Sequence, residues 1–371
     1  ELSKMPGYYP NISPEQLAAA SQVLAIIQAE NLNFNSDEEE TFLKILRFLR
    51  ARKYSVKNAL AMIREDINWR AQNNRLDLPK ESAQEVLNCD IEKLYDYFPV
   101  WFQGYDKQMR PVSYRKFGKF EIWNVLKLTT MERLIRFHAW ETEQALRSMY
   151  SLSRKSGYNI ETFVIVIDAS GWNLKLATSD AFAFIKGMAV TDSDHYPERL
   201  GTLVLINAPS MLSFAWRVIQ GFLDSVTKEK IKILSSDPEE WQPVLRHYID
   251  NDQIPRQYGG TAPDLTSEEA IGAMNPPRGE GSDTLAAQTD LNRSQSVEFS
   301  TPAKASRRES AAKRVVSFSP AGAVAGESMQ VATCTGKVAV QGVDVGVQTD
   351  ENLFIMEHEV HRMQRAGCAL M

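Results

Sequence analysis

Cysteine is scarce in this chain, with three in 371 residues (Cys89, Cys334 and Cys368). Three scattered thiols give no disulfide framework, and the pattern fits a reducing compartment. No apolar run reaches the ~18 residues that a membrane-spanning helix needs, so the sequence predicts no span. The opening Glu1-Leu2-Ser3-Lys4 lacks the basic-then-apolar layout of a secretory signal. Charge of one sign is also lacking: the formal net charge is −5, too small to attract nucleic acid over the whole surface. Gly-x-Ser-x-Gly elbows, Gly-Lys-Ser/Thr phosphate loops and His-Glu-x-x-His motifs are all missing. The five histidines (His138, His195, His247, His358 and His361) show no metal-ligand spacing with cysteine. These absences argue against an enzyme and against a metal or other cofactor. His195, close to Glu198, is the one candidate base, and it reads first as a cap or as lining of the same entrance.

Aromatics run out partway along. All seven Trp and all twelve Tyr precede residue 264, and only Phe299, Phe318 and Phe354 of the sixteen Phe follow it. A segment of that composition, rich in Ser, Thr, Ala, Gly and Pro, buries too little apolar surface to offset its ordering entropy. The expectation is one folded unit over the first ~260 residues and a disordered tail over 265–371.

What is present reads first as helices, over residues 14–75. Ser13-Pro14-Glu15 is a helix start, with a hydroxyl cap and proline in the first turn. Ser36-Asp37-Glu38-Glu39 reads as another, with Glu39 in the capping-box position. Phe42, Ile45, Leu46 and Leu49 follow at helical spacing, with Lys44 and Arg47 on another face. From residue 110 strands and helices alternate. Pro111 to Phe117 and Ile231 to Leu234 read as short strands. Phe163 to Ile167 and Leu203 to Ile206 are continuous apolar runs, expected where both faces of a strand are buried. Helices are expected at Met131 to Arg154, at 177–193 and at Ser213 to Leu223. This order predicts an α/β fold, helices packed on a sheet, with Gly259-Gly260 and Pro263 closing it. Asn352 to Met363 reads as a further short helix.

The densest local signal lies between Tyr196 and Lys230. Tyr196-Pro197-Glu198-Arg199-Leu200-Gly201 precedes the buried run, and Asn207-Ala208-Pro209 follows it. Next come an aromatic-rich apolar helix and Asp224-Ser225-Val226-Thr227-Lys228-Glu229-Lys230. A Glu-Arg pair and a lysine thus bracket one strand and one oily helix, a combination suited to a pocket that is apolar inside and holds an anionic group at its mouth. By composition alone the helix reads first as an ordinary core helix, and each Lys or Arg as a solvated surface charge.

This stretch resembles the CRAL-TRIO family, the fold of the phosphatidylinositol-transfer proteins. Four further segments match in order: Leu46-Arg47-Phe48-Leu49-Arg50-Ala51-Arg52-Lys53-Tyr54 with Trp69-Arg70, Arg110-Pro111-Val112, Ile167-Asp168-Ala169-Ser170-Gly171, and Ile254-Pro255-Arg256-Gln257-Tyr258-Gly259-Gly260. The resemblance covers roughly residues 14–264. It implies an N-terminal helical module (14–80), a CRAL-TRIO α/β lipid-binding domain with a helical gate (90–262), and phosphatidylinositol or a related hydrophobic lipid as ligand. The implied activity is binding and intermembrane transfer or presentation, linked to phosphoinositide signalling and vesicle trafficking. The implied partners are a membrane surface and a lipid kinase or small GTPase, with the chain itself a monomer in the cytoplasm. A carrier of another hydrophobic ligand, or a scaffold for a small GTPase, is the alternative.

By the same resemblance Arg52, Lys53, Glu198, Arg199, Thr227 and Lys230 handle the head group, with Arg52 and Lys230 as phosphate and inositol contacts. Glu198 and Arg199 read alternatively as a structural ion pair. Asp224 is a further hydroxyl acceptor, or the cap of the short helix after it. Phe163, Ile165, Phe214, Trp216, Ile219, Phe222 and Leu223 are expected to line the acyl-chain pocket and gate. Two acyl chains carry roughly 30 methylenes at ~0.8 kcal/mol each, so exposing them to water costs about 20–25 kcal/mol as an upper figure. The pattern departs from the phosphatidylcholine-binding members at Phe163 and Ile165, where those members carry hydroxyls, and at Phe102 and Ser113, where they carry tyrosines. Phe and Ile offer a choline head group no hydrogen bond. This implies that the phosphatidylcholine site is lost and that a second ligand is another hydrophobic molecule, such as a sterol-like or isoprenoid lipid.

Cys368-Ala369-Leu370-Met371 fits a CaaX box, predicting farnesylation of Cys368 and peripheral membrane association. Arg307-Arg308-Glu309-Ser310 suits a basic-directed kinase acting on Ser310, and an unmodified polar linker is the equal alternative.

Overall fold

The computed structural model describes residues 8–34, 39–73 and 78–274. Cys368, Ser310 and the helix expected at Asn352 to Met363 lie outside the described residues. Three helices form the N-terminal module: α1 (Pro14–Ala29), α2 (Thr41–Ala51) and α3 (Val56–Gln72). Ser13 caps α1 with a complete capping box, Gln16 supplying the return bond. Of the second expected start, Ser36, Asp37 and Glu38 lie outside the described residues. Helix α2 begins at Thr41 with no side-chain cap, and Glu39 turns inward instead. Lys44 and Arg47, expected on a separate face, are buried at 7% and 2% exposure. Each has a polar partner: Lys44 donates to the Phe34 carbonyl and Arg47 to Glu39.

Two short helices, α4 (Ala83–Leu87) and α5 (Ile91–Tyr97), lead into the sheet. Its strands are β1 (Val100–Tyr105), β2 (Pro111–Lys116), β3 (Phe163–Asp168), β4 (Leu200–Ile206) and β5 (Ile231–Ile233), in that spatial order. β1 and β2 form an antiparallel pair, and every later neighbour is parallel. Parallel neighbours require crossovers. Those crossovers are α6 (Ile122–Leu128) with α7 (Met131–Ser156), then α8 (Ser179–His195), then α9 (Leu212–Ile219) with α10 (Ser225–Glu229). Helix α11 (Pro238–Tyr248) covers the opposite face.

Strand side chains alternate between faces, and the register sorts them. Tyr114, Val164, Val166, Val204 and Ile206 pack with Trp241 and Leu245 of α11. Ser113, Ile165, Leu203 and Ile231 are direct neighbours across four strands on the other face, and Arg115, Ile167, Leu205 and Ile233 form the next row. That second face looks toward α7, α8 and α9 and carries the site.

The fold extends past the expected boundary at 262. Helix α12 (Ser267–Met274) follows, with Ala270 buried in the α11-side core.

One close approach fixes the turn after β2. A Cβ on Gly118 would stand 1.7 Å from the Ser170 carbonyl oxygen, a backbone atom. Gly118→Ala is therefore expected to push the turn off the end of β3 and destabilise the fold by about 1–3 kcal/mol, as overpacking does. A urea midpoint unchanged from the parent would contradict this.

Candidate functional site

Between the sheet and α8–α9 lies a cavity of about 590 Å³, opening beside the C-terminal end of α2. That is within the ~300–1,000 Å³ range of ligand pockets. Its wall comprises Phe163, Ile165 and Ile167 from β3, Leu203 and Leu205 from β4, and Phe182 from α8. Leu212, Ala215, Trp216 and Ile219 of α9 close the outer side, followed by Phe222 and Leu223. These α9 positions recur at i, i+3, i+4 and i+7, one helix face. Phe214, expected in the pocket, falls on the opposite face. It is 41% exposed and lies beside Arg217, whose guanidinium is 5.6 Å from its ring.

The cavity lining includes every expected polar residue: Arg52, Lys53, Glu198, Arg199, Asp224, Thr227 and Lys230. Arg52 and Lys53 follow α2 directly, and Lys53 adopts a left-handed backbone (φ 50). Among the described residues, the hydrogen bond of Arg52 is to the carbonyl of its neighbour Ala51. Lys230 Nζ is 3.5 Å from Glu198 Oε2. Glu198 is left-handed too (φ 61), and its neighbour Arg199 is nearly fully buried. Asp224 acts as the cap of α10: its carboxylate accepts from the Thr227 amide at 2.9 Å and from the Thr227 hydroxyl at 2.5 Å.

Arg199 also lines the cavity, and among the described residues its ion pair is with Glu39 and not with Glu198. Arg199 donates to Glu39 Oε2 at 2.9 Å, the Tyr150 hydroxyl at 2.9 Å and the Glu161 carbonyl at 3.1 Å. Arg47 forks onto both oxygens of the same Glu39, at 3.0 and 2.6 Å, and reaches the Pro197 carbonyl at 3.0 Å. Arg50 pairs with Glu161. Glu39, expected as a capping-box residue, and Glu161, which the sequence did not single out, thereby join α2 to the Pro197-Glu198-Arg199 segment under the mouth. Burial alone would raise the Glu39 carboxyl, but Arg199 and Arg47 outweigh it and hold the pKa down at about 2.

His195 is engaged by its neighbours. Its ring stacks on Trp69 at 3.8 Å and its Nδ1 lies 3.3 Å from Asp66, which also takes Arg70. Asp168, at the end of β3, is taken up by Ser170, Asn207 and Tyr258. That joins two of the sequence motifs in a structural knot. Among the described residues, no cluster of three or more His, Cys, Asp or Glu side chains is arranged to hold a metal, and no helix is long and apolar enough to cross a membrane.

Phe102, Ser113 and Ile165 are consecutive partners across β1, β2 and β3. The four positions that differ from the choline-binding pattern are therefore neighbours, with Phe163 two residues from Ile165 on the same face.

A family model described as "CRAL/TRIO domain" matches residues 95–260, and one described as "CRAL/TRIO, N-terminal domain" matches residues 19–65. The chain is 30% identical over 272 residues to a SEC14 cytosolic factor of Candida glabrata, covering 73% of this chain and 85% of that protein. Identity to the phosphatidylinositol/phosphatidylcholine transfer protein SFH4 of Arabidopsis thaliana is 30% over 242 residues, or 65% of this chain and 38% of that one. The crystal structure of Sfh5 superposes with a TM-score of 0.54 at 15% identity, over 75% of this chain and 96% of that one.

Proposed function

The chain belongs to the CRAL/TRIO family, and on that premise we propose that it binds phosphatidylinositol and carries it between membranes or presents it to a lipid kinase, serving phosphoinositide signalling and vesicle trafficking. The observation that carries this reading is one apolar cavity whose mouth combines Arg52, Lys53 and Lys230 with Glu198 and Thr227. Cationic donors suit a phosphodiester, and the acceptors suit ring hydroxyls. Exposed apolar side chains, Met211, Phe214 and Val226, flank the gate. They form a surface that a bilayer interface would cover while α9 swings aside, so that the acyl chains leave one apolar phase for another. Transfer of this kind is physical exchange and makes no bond.

Phosphatidylinositol transfer between vesicles tests the reading, and no transfer by folded protein would overturn it. The lipid extracted with the purified protein is a second test. The row formed by Phe102, Ser113 and Ile165, with Phe163 beside it, gives a choline head group little to bind. Mass spectrometry should therefore find phosphatidylinositol without stoichiometric phosphatidylcholine. Stoichiometric phosphatidylcholine would refute loss of that site.

A further inference from the structure

The inner wall of the cavity is apolar except at one place, where β2, α7 and α8 meet. Arg115 projects there from β2, His138 from α7 and Asp192 from α8, and all three line the cavity. Glu141, one turn along α7 from His138, stands behind them. Arg115 is 5% exposed, Glu141 1% and His138 4%. Buried groups of this kind normally have their hydrogen bonds satisfied, and these do not. Among the described residues the Arg115 side chain makes no hydrogen bond, and its ion-pair contact with Glu141 is long, 3.6 Å. Arg115 Nε, both Glu141 carboxylate oxygens and His138 Nδ1 are buried without a partner. His138 Nε2 lies 2.7 Å from Asp192 Oδ1. With the proton on that nitrogen, Nδ1 presents a lone pair. Ser113, two residues before Arg115 on the same strand face, adds a buried hydroxyl without a partner.

Unused donors and unused acceptors therefore meet at the wall of an oily pocket, with Arg115 and His138 lining it and Glu141 directly behind them. A hydroxyl on a lipid serves both, accepting from a guanidinium while donating to a carboxylate or an imidazole lone pair. Charge separates the remaining possibilities. Arg115 and His138 already face Glu141 and Asp192, so an incoming carboxylate would be a third anion with little water to screen it. A bare hydrocarbon end would leave every one of these groups unpaired.

We propose that Arg115, Glu141 and His138 form a seat for the hydroxyl of an uncharged lipid, held with its apolar body along Phe163, Ile165 and the α9 wall. This rests on the reading of the cavity as a lipid pocket and specifies the chemistry of its second ligand. The seat lies away from the mouth residues proposed for phosphatidylinositol, so the two readings can fail separately.

The test is displacement of the neutral probe N-phenyl-1-naphthylamine from delipidated full-length protein by a matched sixteen-carbon series: 1-hexadecanol, hexadecane and palmitate. The wild type should prefer 1-hexadecanol over hexadecane by at least tenfold, the worth of one charge-assisted hydrogen bond. In Arg115→Met that preference should collapse, with phosphatidylinositol transfer retained. Since Arg115→Met strands Glu141, the double variant Arg115→Met/Glu141→Gln provides a folded control and should also lose the preference. Equal binding of alcohol and alkane by the wild type, palmitate as the tightest ligand, or failure of all three to displace the probe would each overturn the seat. Loss of phosphatidylinositol transfer in the wild type, with alcohol preference intact, would instead sink the head-group reading alone.

Discussion

Replacing Arg52 and Lys230 together by alanine is expected to lower phosphatidylinositol transfer at least a hundredfold with the fold intact. Each side chain lines the mouth, one from the end of α2 and the other from the end of α10. They approach it from elements separated by nearly half of the chain, as a clamp on one phosphodiester would. A hydrogen bond to a charged group contributes about 1.5–3 kcal/mol, so two give about 3–6 kcal/mol, a hundredfold or more in occupancy. The stability effect should be small. Arg52 donates within its own turn, and the Lys230–Glu198 pair is partly exposed and 3.5 Å long, a class worth ~0–1 kcal/mol. Vesicle transfer and thermal melting of the double variant decide the matter. Full transfer by the variant would remove both residues from the head-group site.

The sequence revealed the core elements because their signals are local. β3 and β4 are continuous apolar runs, and α7 and α8 are long enough for helical spacing to show. β1 passed unnoticed because its pairing with β2 breaks register between Phe102 and Tyr105 and Gly104 is left-handed (φ 67), which erases strict alternation. Helix α12 sits behind Gly259-Gly260 and Pro263, residues that ordinarily end a fold. Phe214 was misplaced for a different reason. A helix that is apolar nearly all round does not say which face is inward, and only the contacts of Leu212, Ala215 and Trp216 settle it.

Charged residues were the least legible, because their roles depend on partners far away in sequence. Arg199 and Glu39 are 160 positions apart, and neither carries a local mark of the pairing. Arg115 was not read from the sequence at all. It shares a strand face with Ser113, but nothing in Ser113-Tyr114-Arg115 announces that a guanidinium would be enclosed beside a glutamate from α7.

Glu39→Ala is expected to destabilise the protein by about 3–5 kcal/mol, the largest stability effect at any residue near the site. The carboxylate takes both prongs of Arg47, one from Arg199 and the Tyr150 hydroxyl at 3.2 Å. Removing it leaves two buried guanidinium groups facing each other, and breaking a buried pair from one side has that cost. Against a total stability of ~5–15 kcal/mol, the loss is a large fraction. Acid should reproduce it in the parent. The Glu39 pKa falls from an ordinary 4.5 to about 2 in the fold. The folded state therefore holds its proton more weakly than the unfolded chain does. The stabilisation, about 3 kcal/mol, is complete above pH 4.5 and disappears as pH falls toward 2. Glu39→Gln should be less stable than the parent at pH 7, and its own decline between pH 4.5 and 2 should be shallower by that amount. Urea unfolding of both variants across this range is the measurement, and a parallel acid decline in Glu39→Gln would show that other carboxylates govern it. Function follows through Arg47, which also holds the Pro197 carbonyl. When Glu39 is lost, the turn that presents Glu198 to Lys230 loses its anchor, so transfer should fall at temperatures where most of the chain is still folded.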